Sequence, residues 1–467
     1  MGITFGTSGW RAIIADEFTF ANVRLVTRAI AAVLADEAAG GRVIVGYDTR
    51  FLSERFAAEC ASELAQLGYE AYLTTRDTPT PTIAFAIRSL KARGGINFTA
   101  SHNPPQYNGM KFSTADGAPA LPEVTEKIEQ RIAALQAGQP RAELASGAQP
   151  IALDPREDYL KDLAAKINFK QIAAAKLRLA YDPLWGTGRG YLDEALRRLS
   201  CEVEMVHDYR DVLFGGHSPE PSEKNLREMR ELILEKKLAL GLSTDGDSDR
   251  FGFIDRDGTF ISANHTLALL VDYLCETRKE WAGGVARSVA TTHLLDRVAK
   301  RHGREVYETP VGFKFIGELV NEDKIILGGE ESAGLTIKGH FPEKDGILAC
   351  LLVTEMVAAR GTGLGEMLQE LFGKDGALYS ERVGIKLTPE VKQRLQARLA
   401  AETPSKIGGR RVVEVNRLDG VKYIFDDGSW LLLRMSGTEP VVRCYAETDS
   451  PKDLEVLLET GSKFVLD

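Results

Sequence analysis

The sequence predicts an α/β protein: three similar α/β domains with mixed sheets, followed by a smaller C-terminal α+β domain. Three observations carry that expectation. Short runs rich in Val and Ile, bounded by glycine, alternate with stretches whose apolar residues recur at helical spacing. A length of 467 residues exceeds what one growing core holds and predicts two to four domains. Near the end, four strand-like runs at 412–416, 420–425, 429–434 and 442–446 precede a single helix at 451–463.

In the first domain, 1–140, an extended segment ends at Ile13-Ile14. Val23, Val26, Ile30, Val33 and Leu34 predict a helix over 22–39, stopped by Gly40-Gly41. Strand 42–46, helix 53–67 and strand 70–73 follow, and Thr78-Pro79-Thr80-Pro81 opens a helix to about 90. Strand 94–98 leads into Thr99, and ligand sites of such sheets lie beyond strand carboxyl ends. A loosely patterned helix at 122–135 closes this part, and 137–149, small and polar with Pro140, reads as a linker.

The second domain, 150–258, begins with helix 154–167 and strand 177–181. Gly186, Gly188 and Gly190 could cradle a phosphate at a helix start, but no Walker lysine follows, so tight-turn structure is the first reading. Helix 190–199, strand 202–206, a polar loop through Gly215-Gly216-His217, helix 223–235 and a strand feeding Asp245 complete it. The third domain, 259–372, opens at Thr259-Phe260-Ile261. It runs through helix 265–276, strand 284–289, helix 292–302, a helix that carries on to Leu319, strand 324–327 and helix 345–359. The last boundary falls near 370–380, leaving 378–467 for the α+β domain.

Composition narrows the function class. Hydrophobic residues make up 44% and charged residues 27%, the balance of a soluble globular enzyme. A net charge of -9 argues against broad nucleic-acid binding. No apolar run reaches membrane-spanning length, so no membrane partner is expected. The opening Gly2-Ile3-Thr4-Phe5 lacks a basic and apolar leader, and the five cysteines are scattered without metal spacing, which together predict a cytoplasmic protein.

Two stretches carry chemistry. Thr99-Ala100-Ser101-His102-Asn103-Pro104-Pro105, then Asn108-Gly109-Met110-Lys111, gathers a hydroxyl, an imidazole, an amide and an ammonium in a proline-shaped loop. Adjacency alone does not make Ser101 and His102 a catalytic pair. Asp245-Gly246-Asp247-Ser248-Asp249-Arg250 sets three carboxylates at alternate positions, which repel one another unless a cation neutralises them. All-oxygen ligands suit magnesium or manganese rather than zinc. A calcium loop needs glutamate at its twelfth position, where Arg256 stands, so that reading fails.

With these motifs come Gly6-Thr7-Ser8-Gly9-Trp10-Arg11, Gly329-Glu330-Glu331-Ser332 and Arg434-Met435-Ser436-Gly437-Thr438-Glu439-Pro440. In this order and over residues 6–443, the chain resembles the alpha-D-phosphohexomutase family, which includes phosphoglucomutase and phosphomannomutase. The resemblance implies four domains around a central active-site cleft. It implies that Ser101 carries a phosphoryl group and that Ser101, Asp245, Asp247 and Asp249 hold one Mg2+. Lys111, His102 and Arg11 then become candidates for moving protons or stabilising charge; the arginine suits only the second role, and for His102 orienting and acid–base work stay open. Arg250 would clamp phosphate beside the metal. Glu330, Ser332 and Lys314 would read the sugar, and Arg434, Ser436, Gly437, Thr438 and Arg443 would hold the non-reacting phosphate.

The implied reaction converts glucose 1-phosphate to glucose 6-phosphate, with glucose 1,6-bisphosphate as intermediate and activator. The partners are then small-molecule hexose phosphates, and a monomer or a homodimer fits equally. Glu330-Glu331-Ser332 favours glucose, although Ala333 departs from the family pattern, and mannose or glucosamine phosphates are the runners-up. Outside the family, three carboxylates and a serine would also suit a metal-dependent sugar phosphatase, and a non-catalytic sugar-phosphate sensor is the third class.

Overall fold

The computed structural model describes residues 3–6, 9–139, 145, 147–401, 403–435 and 441–466. The chain divides into two compact units, Met1–Ala263 with Gly317–Asp323 and Ser332–Gly365, and Asn264–Ile316 with Lys324–Glu331 and Glu366–Asp467.

The first unit contains two sheets. In one, Arg42–Tyr47 lies between parallel neighbours Gly94–Phe98 and Glu70–Thr74, and the latter pairs with Ile151–Leu153. Tyr107–Thr114 runs antiparallel to Gly94–Phe98 and carries Trp10–Ile13 on its far side, so the sheet is mixed. The two-residue period of a strand sends Val43 and Val45 into the core beneath helices Phe20–Ala35 and Ser53–Gln66. It sends Ile44 to the opposite face, against Ile83 and Ile87 one helical turn apart on Thr80–Ser89. Thr19 caps the helix Phe20–Ala35 by accepting from the Asn22 N–H.

The second sheet is ordered Phe260–Ile261, Phe251–Asp255, Leu240–Thr244, Arg178–Asp182, Glu202–Met205. Its three later strands are parallel, and Phe251–Asp255 returns antiparallel through the aspartate loop. Helix Arg227–Lys236 covers one face through Met229 and Ile233. Helix Gly346–Arg360 packs on Leu240–Thr244 and Phe251–Asp255, and every residue from Gly346 to Val357 is buried.

The second unit holds a parallel group, Val306–Thr309, Gly284–Ser288 and Ile325–Glu330. It also holds an antiparallel sheet running Tyr379–Lys386, Val441–Thr448, Trp430–Met435, Val421–Phe425, Arg410–Asn416, Lys406–Ile407. Leu431, Leu433, Val442 and Cys444 point to helices Pro389–Ala400 and Pro451–Leu466. Trp430, Leu432 and Tyr445 point the other way, against Val289, Ala290 and Val311.

Several elements depart from the sequence pattern. Tyr107–Thr114 is a strand of eight residues where only a loop exit is expected, and Phe169–Ala175 is an extra helix. Phe260–Ile261, with which the third stretch of sequence opens, pairs with Phe251–Asp255 as the edge strand of the second sheet. Leu364–Asp375 is helical despite the glycines at 361, 363 and 365; Gly361 ends the preceding helix in the left-handed conformation, and the next begins immediately. Tyr379–Lys386 and Pro389–Ala400 fill the interval before Val412.

Candidate functional site

The site of the first unit forms where Gly94–Phe98 ends. The Thr99 hydroxyl accepts from the Ser101 N–H at 2.9 Å, and Ser101 adopts a φ of 52°, left-handed for a residue other than glycine. Ser101 is 1% exposed, and its Oγ donates to Asp245 Oδ2 at 2.7 Å, with His102 Nδ1 3.3 Å away. The approach of the aspartate loop depends on Gly246, where a Cβ would stand 2.8 Å from the Ser101 carbonyl oxygen.

Asp245, Asp247 and Asp249 are all buried, and one oxygen of each lies within 4.8 Å of the others. Asp245 Oδ1 accepts from the Arg250 N–H at 3.0 Å. Lys111 Nζ donates to Asp247 Oδ2 at 2.7 Å and to Asp249 Oδ2 at 3.0 Å, and Lys344 Nζ stands 3.4 Å from the same Asp249 oxygen. Burial, then the neighbouring Asp247 and Asp249, push the Asp245 carboxyl well above the usual carboxylate range. Burial opposes ionisation of Asp247 and Asp249 as well, but Lys111, joined by the Thr80 hydroxyl at Asp247 and by Lys344 and Arg250 at Asp249, outweighs it and holds both below that range. Lys111 is in turn held above its usual value, burial being outweighed by Asp247 and Asp249.

Asp247 Oδ1 and Asp249 Oδ1 are buried without a hydrogen-bond partner. Buried polar atoms are rarely left so, and three oxygens with spare lone pairs at this spacing fit a hard divalent cation. Burial, reinforced by the charges of Arg250 and Arg11, pushes the His102 imidazole well below its usual value, so it is neutral at pH 7. Burial lowers Arg11 to about 10, which leaves it charged, and its Nη1 donates to Asn103 Oδ1 at 2.7 Å. Ser332, also of this unit, precedes Ala333, whose carbonyl accepts from the Phe251 N–H at 3.1 Å.

In the second unit, Glu330 ends the strand Ile325–Glu330, is buried, and accepts from the Gly312 N–H at 2.8 Å. The neighbouring Glu331 accepts from Ser288 Oγ at 3.1 Å. Lys314 lies in the first turn of Phe313–Asn321, its Nζ 5.3 Å from the Phe315 ring centre. Arg434 and Arg443 are register partners on antiparallel strands, so both side chains leave the same face of the sheet. Arg434 Nε donates at 2.7 Å to Asp419 Oδ2, which also accepts from the Val311 N–H at 3.0 Å. Ser436, Gly437 and Thr438 lie outside the described residues.

The geometry therefore brings together Ser101, His102, Lys111, Arg11, Arg250 and the three aspartates in one unit, and links the 311–312 loop to Glu330 and Arg434 in the other. It adds groups that motif reading passes over. Lys344 follows Glu343, which accepts from it at 2.7 Å, and stands directly before the helix cap Asp345; a charged trio ahead of an apolar helix was the available signal. Asp419, in a loop between two strands, had none.

Comparison with known proteins places these features. Models of the phosphoglucomutase/phosphomannomutase family match in order: alpha/beta/alpha domain I over 2–139, domain II over 157–258, domain III over 262–374 and the C-terminal domain over 389–460. A phosphoglucomutase/phosphomannomutase of Thermococcus kodakarensis is 31% identical, covering 100% of this chain and 99% of its own. A probable phosphoglucosamine mutase of Methanothermobacter thermautotrophicus is 30% identical over 95% of this chain and 93% of its own. The crystal structure of a Thermus thermophilus protein, provisionally a phosphomannomutase, superposes with a TM-score of 0.87 at 36% identity, covering 100% and 99% of the two chains. Parafusin, a phosphoglucomutase from Paramecium, shares the fold with a TM-score of 0.84 at 22% identity, over 99% of this chain and 95% of its own. With all four domain models in sequence and relatives matched end to end, the chain belongs to the phosphoglucomutase/phosphomannomutase family, the alpha-D-phosphohexomutases, and is an isomerase that transfers a phosphoryl group within a hexose phosphate.

Proposed function

We propose that the enzyme interconverts glucose 1-phosphate and glucose 6-phosphate in the cytoplasm, with Ser101 as the phosphoryl carrier. The observation that carries this reading is the 2.7 Å contact of Ser101 Oγ with Asp245 Oδ2, beside two buried carboxylate oxygens that have no partner. Asp245, Asp247 and Asp249, with the phosphate on Ser101, would hold Mg2+, which supplies Lewis-acid neutralisation of the transferring group.

The O6 hydroxyl of glucose 1-phosphate attacks the phosphorus on Ser101. The O6–P bond forms as the Oγ–P bond breaks, O6 loses its proton, and Oγ takes one up. Lys111, Arg11 and Arg250 supply fixed positive charge for the phosphoryl oxygens. His102, neutral and 3.3 Å from Oγ, is the group suited to relay the proton. Glucose 1,6-bisphosphate turns end for end, and its 1-phosphoryl group returns to Ser101. Glu330, Ser332 and Lys314 read the sugar, while Arg434, Ser436, Gly437, Thr438 and Arg443 bind the phosphate that is not reacting. The four domains divide the work: 1–140 bears the serine, 150–258 the metal ligands, 259–372 the sugar loop and 378–467 the distal phosphate site.

The test is Ser101→Ala with glucose 1-phosphate, bisphosphate primer and magnesium. Turnover falls below detection and the mass increment of one phosphate disappears; retained turnover would sink the carrier role. The names of the relatives favour a second reading, in which mannose or glucosamine phosphates are preferred. Relative kcat/KM on the three sugar phosphates decides between them, and release of labelled inorganic phosphate as the main product would indicate a phosphatase instead.

A further inference from the structure

Arg50 lies just past the strand Arg42–Tyr47 and is wholly buried. A guanidinium has five N–H donors, and here each one is used. Nε donates to Asp48 Oδ2 at 3.0 Å. Nη1 donates to the carbonyls of Pro104 at 2.9 Å and Tyr107 at 3.0 Å. Nη2 donates to the carbonyls of Ser101 at 2.5 Å and Asn103 at 2.7 Å. One side chain thus donates to four carbonyls around an irregular loop, of which that of Pro104 also accepts from the Tyr107 N–H at 3.1 Å.

We infer that Arg50 is a positioning residue for phosphoryl transfer: it fixes the backbone of the serine loop and thereby the direction in which Ser101 presents Oγ to the aspartates. The inference rests on Ser101 being the phosphate carrier. Both peptide groups flanking the Ser101 Cα are tied, the N–H to Thr99 Oγ1 and the C=O to Arg50. Ser101 is held left-handed, a conformation that disfavours residues with a Cβ and relaxes when its restraints are removed. With both peptides held, only rotation about χ1 remains to the hydroxyl.

The same guanidinium reaches the part of the chain that bears the metal ligands. The Phe214 ring lies 4.9 Å from its central carbon, and Phe214 belongs to the core under the second sheet. Arg210 Nε donates to the Thr49 carbonyl at 3.1 Å, and its Nη2 donates to the Arg50 carbonyl at 3.3 Å. Arg50 therefore sets the serine loop against the sheet from which Asp245, Asp247 and Asp249 emerge. A lysine, with one ammonium on a flexible stem, cannot span four carbonyls and a carboxylate at once.

The experiment compares the full-length wild type with Arg50→Lys, Phe214→Leu and Ser101→Ala, measuring kcat, KM for glucose 1-phosphate, and the rate at which bisphosphate reloads dephosphorylated Ser101. Displacing a reacting group by about 1 Å costs on the order of 10²-fold in rate. Arg50→Lys is accordingly expected to lose about 10²-fold in kcat and in reloading rate, with KM within about threefold. A folded Arg50→Lys with wild-type kcat, or one altered in KM alone, overturns the inference. If that variant does not fold, Phe214→Leu decides. It keeps the guanidinium and removes the ring beneath it, and is expected to lose about fivefold in kcat at unchanged KM. Wild-type kcat in that variant overturns the inference. Ser101→Ala separates the two levels: its retained turnover removes the carrier reading itself, whereas an inactive Ser101→Ala beside an unimpaired Arg50→Lys removes only the role of Arg50.

Discussion

Two lysines, one in each unit, are buried to a similar degree and titrate in opposite directions. Lys111 faces Asp247 and Asp249, and burial is outweighed, so its ammonium persists above the usual range. Among the described residues, Lys422 has no carboxylate so close. Its Nζ donates to the Val289 carbonyl at 2.8 Å, meets His293 Nε2 at 2.8 Å and lies 4.0 Å from the Trp430 ring centre. The nearest acid among the described residues, Glu308, is 3.8 Å away and already accepts from Arg287 at 2.7 Å. Burial, with the Arg287 charge beside it, pushes Lys422 down to about 7. Burial alone therefore does not decide whether a lysine is charged; the groups that replace water do. In the first unit the cation is retained where phosphate chemistry is proposed, and in the second it is close to being dispensable.

The largest expected effect comes from breaking the charged case. Lys111→Met leaves buried carboxylates uncompensated and is expected to cost about 3–5 kcal/mol of stability, measured by denaturant unfolding in a chelator. Millimolar magnesium should restore part of that loss, because it replaces the missing positive charge; no difference between chelator and magnesium would mean that the aspartates do not act as a cation site.

Lys422→Met sharpens the other side. At pH 7 the swap is expected to be neutral or stabilising by up to about 4 kcal/mol, since the unfolded chain holds the Lys422 proton far more tightly than the folded one. The pH dependence has a defined sign. Between pH 7 and about 10.4 the unfolded chain keeps the Lys422 proton and the folded chain has released it, so folding is increasingly favoured as pH rises. Wild type should gain about 3–4 kcal/mol on the methionine variant from pH 7 to 10; parallel stability curves would show that Lys422 stays protonated when folded.

The smallest expected effect is that of Asp419→Ala. It frees Arg434 and the Val311 N–H from their shared oxygen, and should raise KM for hexose phosphates by about 3–10-fold with little change in kcat. A fall in kcat at constant KM would place Asp419 in the chemical step instead.

The lysine that belongs to a motif was legible from sequence and the other was not. Asp245, Asp247 and Asp249 stand out by their alternate spacing, while Ser101 and Lys111 lie in a loop of ordinary turn residues and became legible only through the family resemblance. Lys344, Arg50 and Lys422 act through partners between about 50 and 130 residues away, and no local pattern announces such pairings. The fold divides similarly. The parallel strand 42–47 is buried on both faces over Val43–Gly46 and reads as an apolar run, whereas Tyr379–Lys386 is a half-exposed edge strand with weak alternation. Pro389–Ala400 was legible in principle, with Thr388 as cap, proline at its start and Val391, Leu395 and Leu399 at four-residue steps.

The helix Gly346–Arg360 has one further consequence, for how the chain reaches its folded state. Its residues from 346 to 357 are buried all round, so it has no polar side on which to rest at a surface. Any partly assembled chain in which the second sheet has formed but this helix has not docked exposes two apolar surfaces at once, the helix and the sheet face that receives it. Such a species associates with its own copies at high concentration, and the yield on refolding should depend on dilution more steeply than the stability of the finished enzyme would suggest.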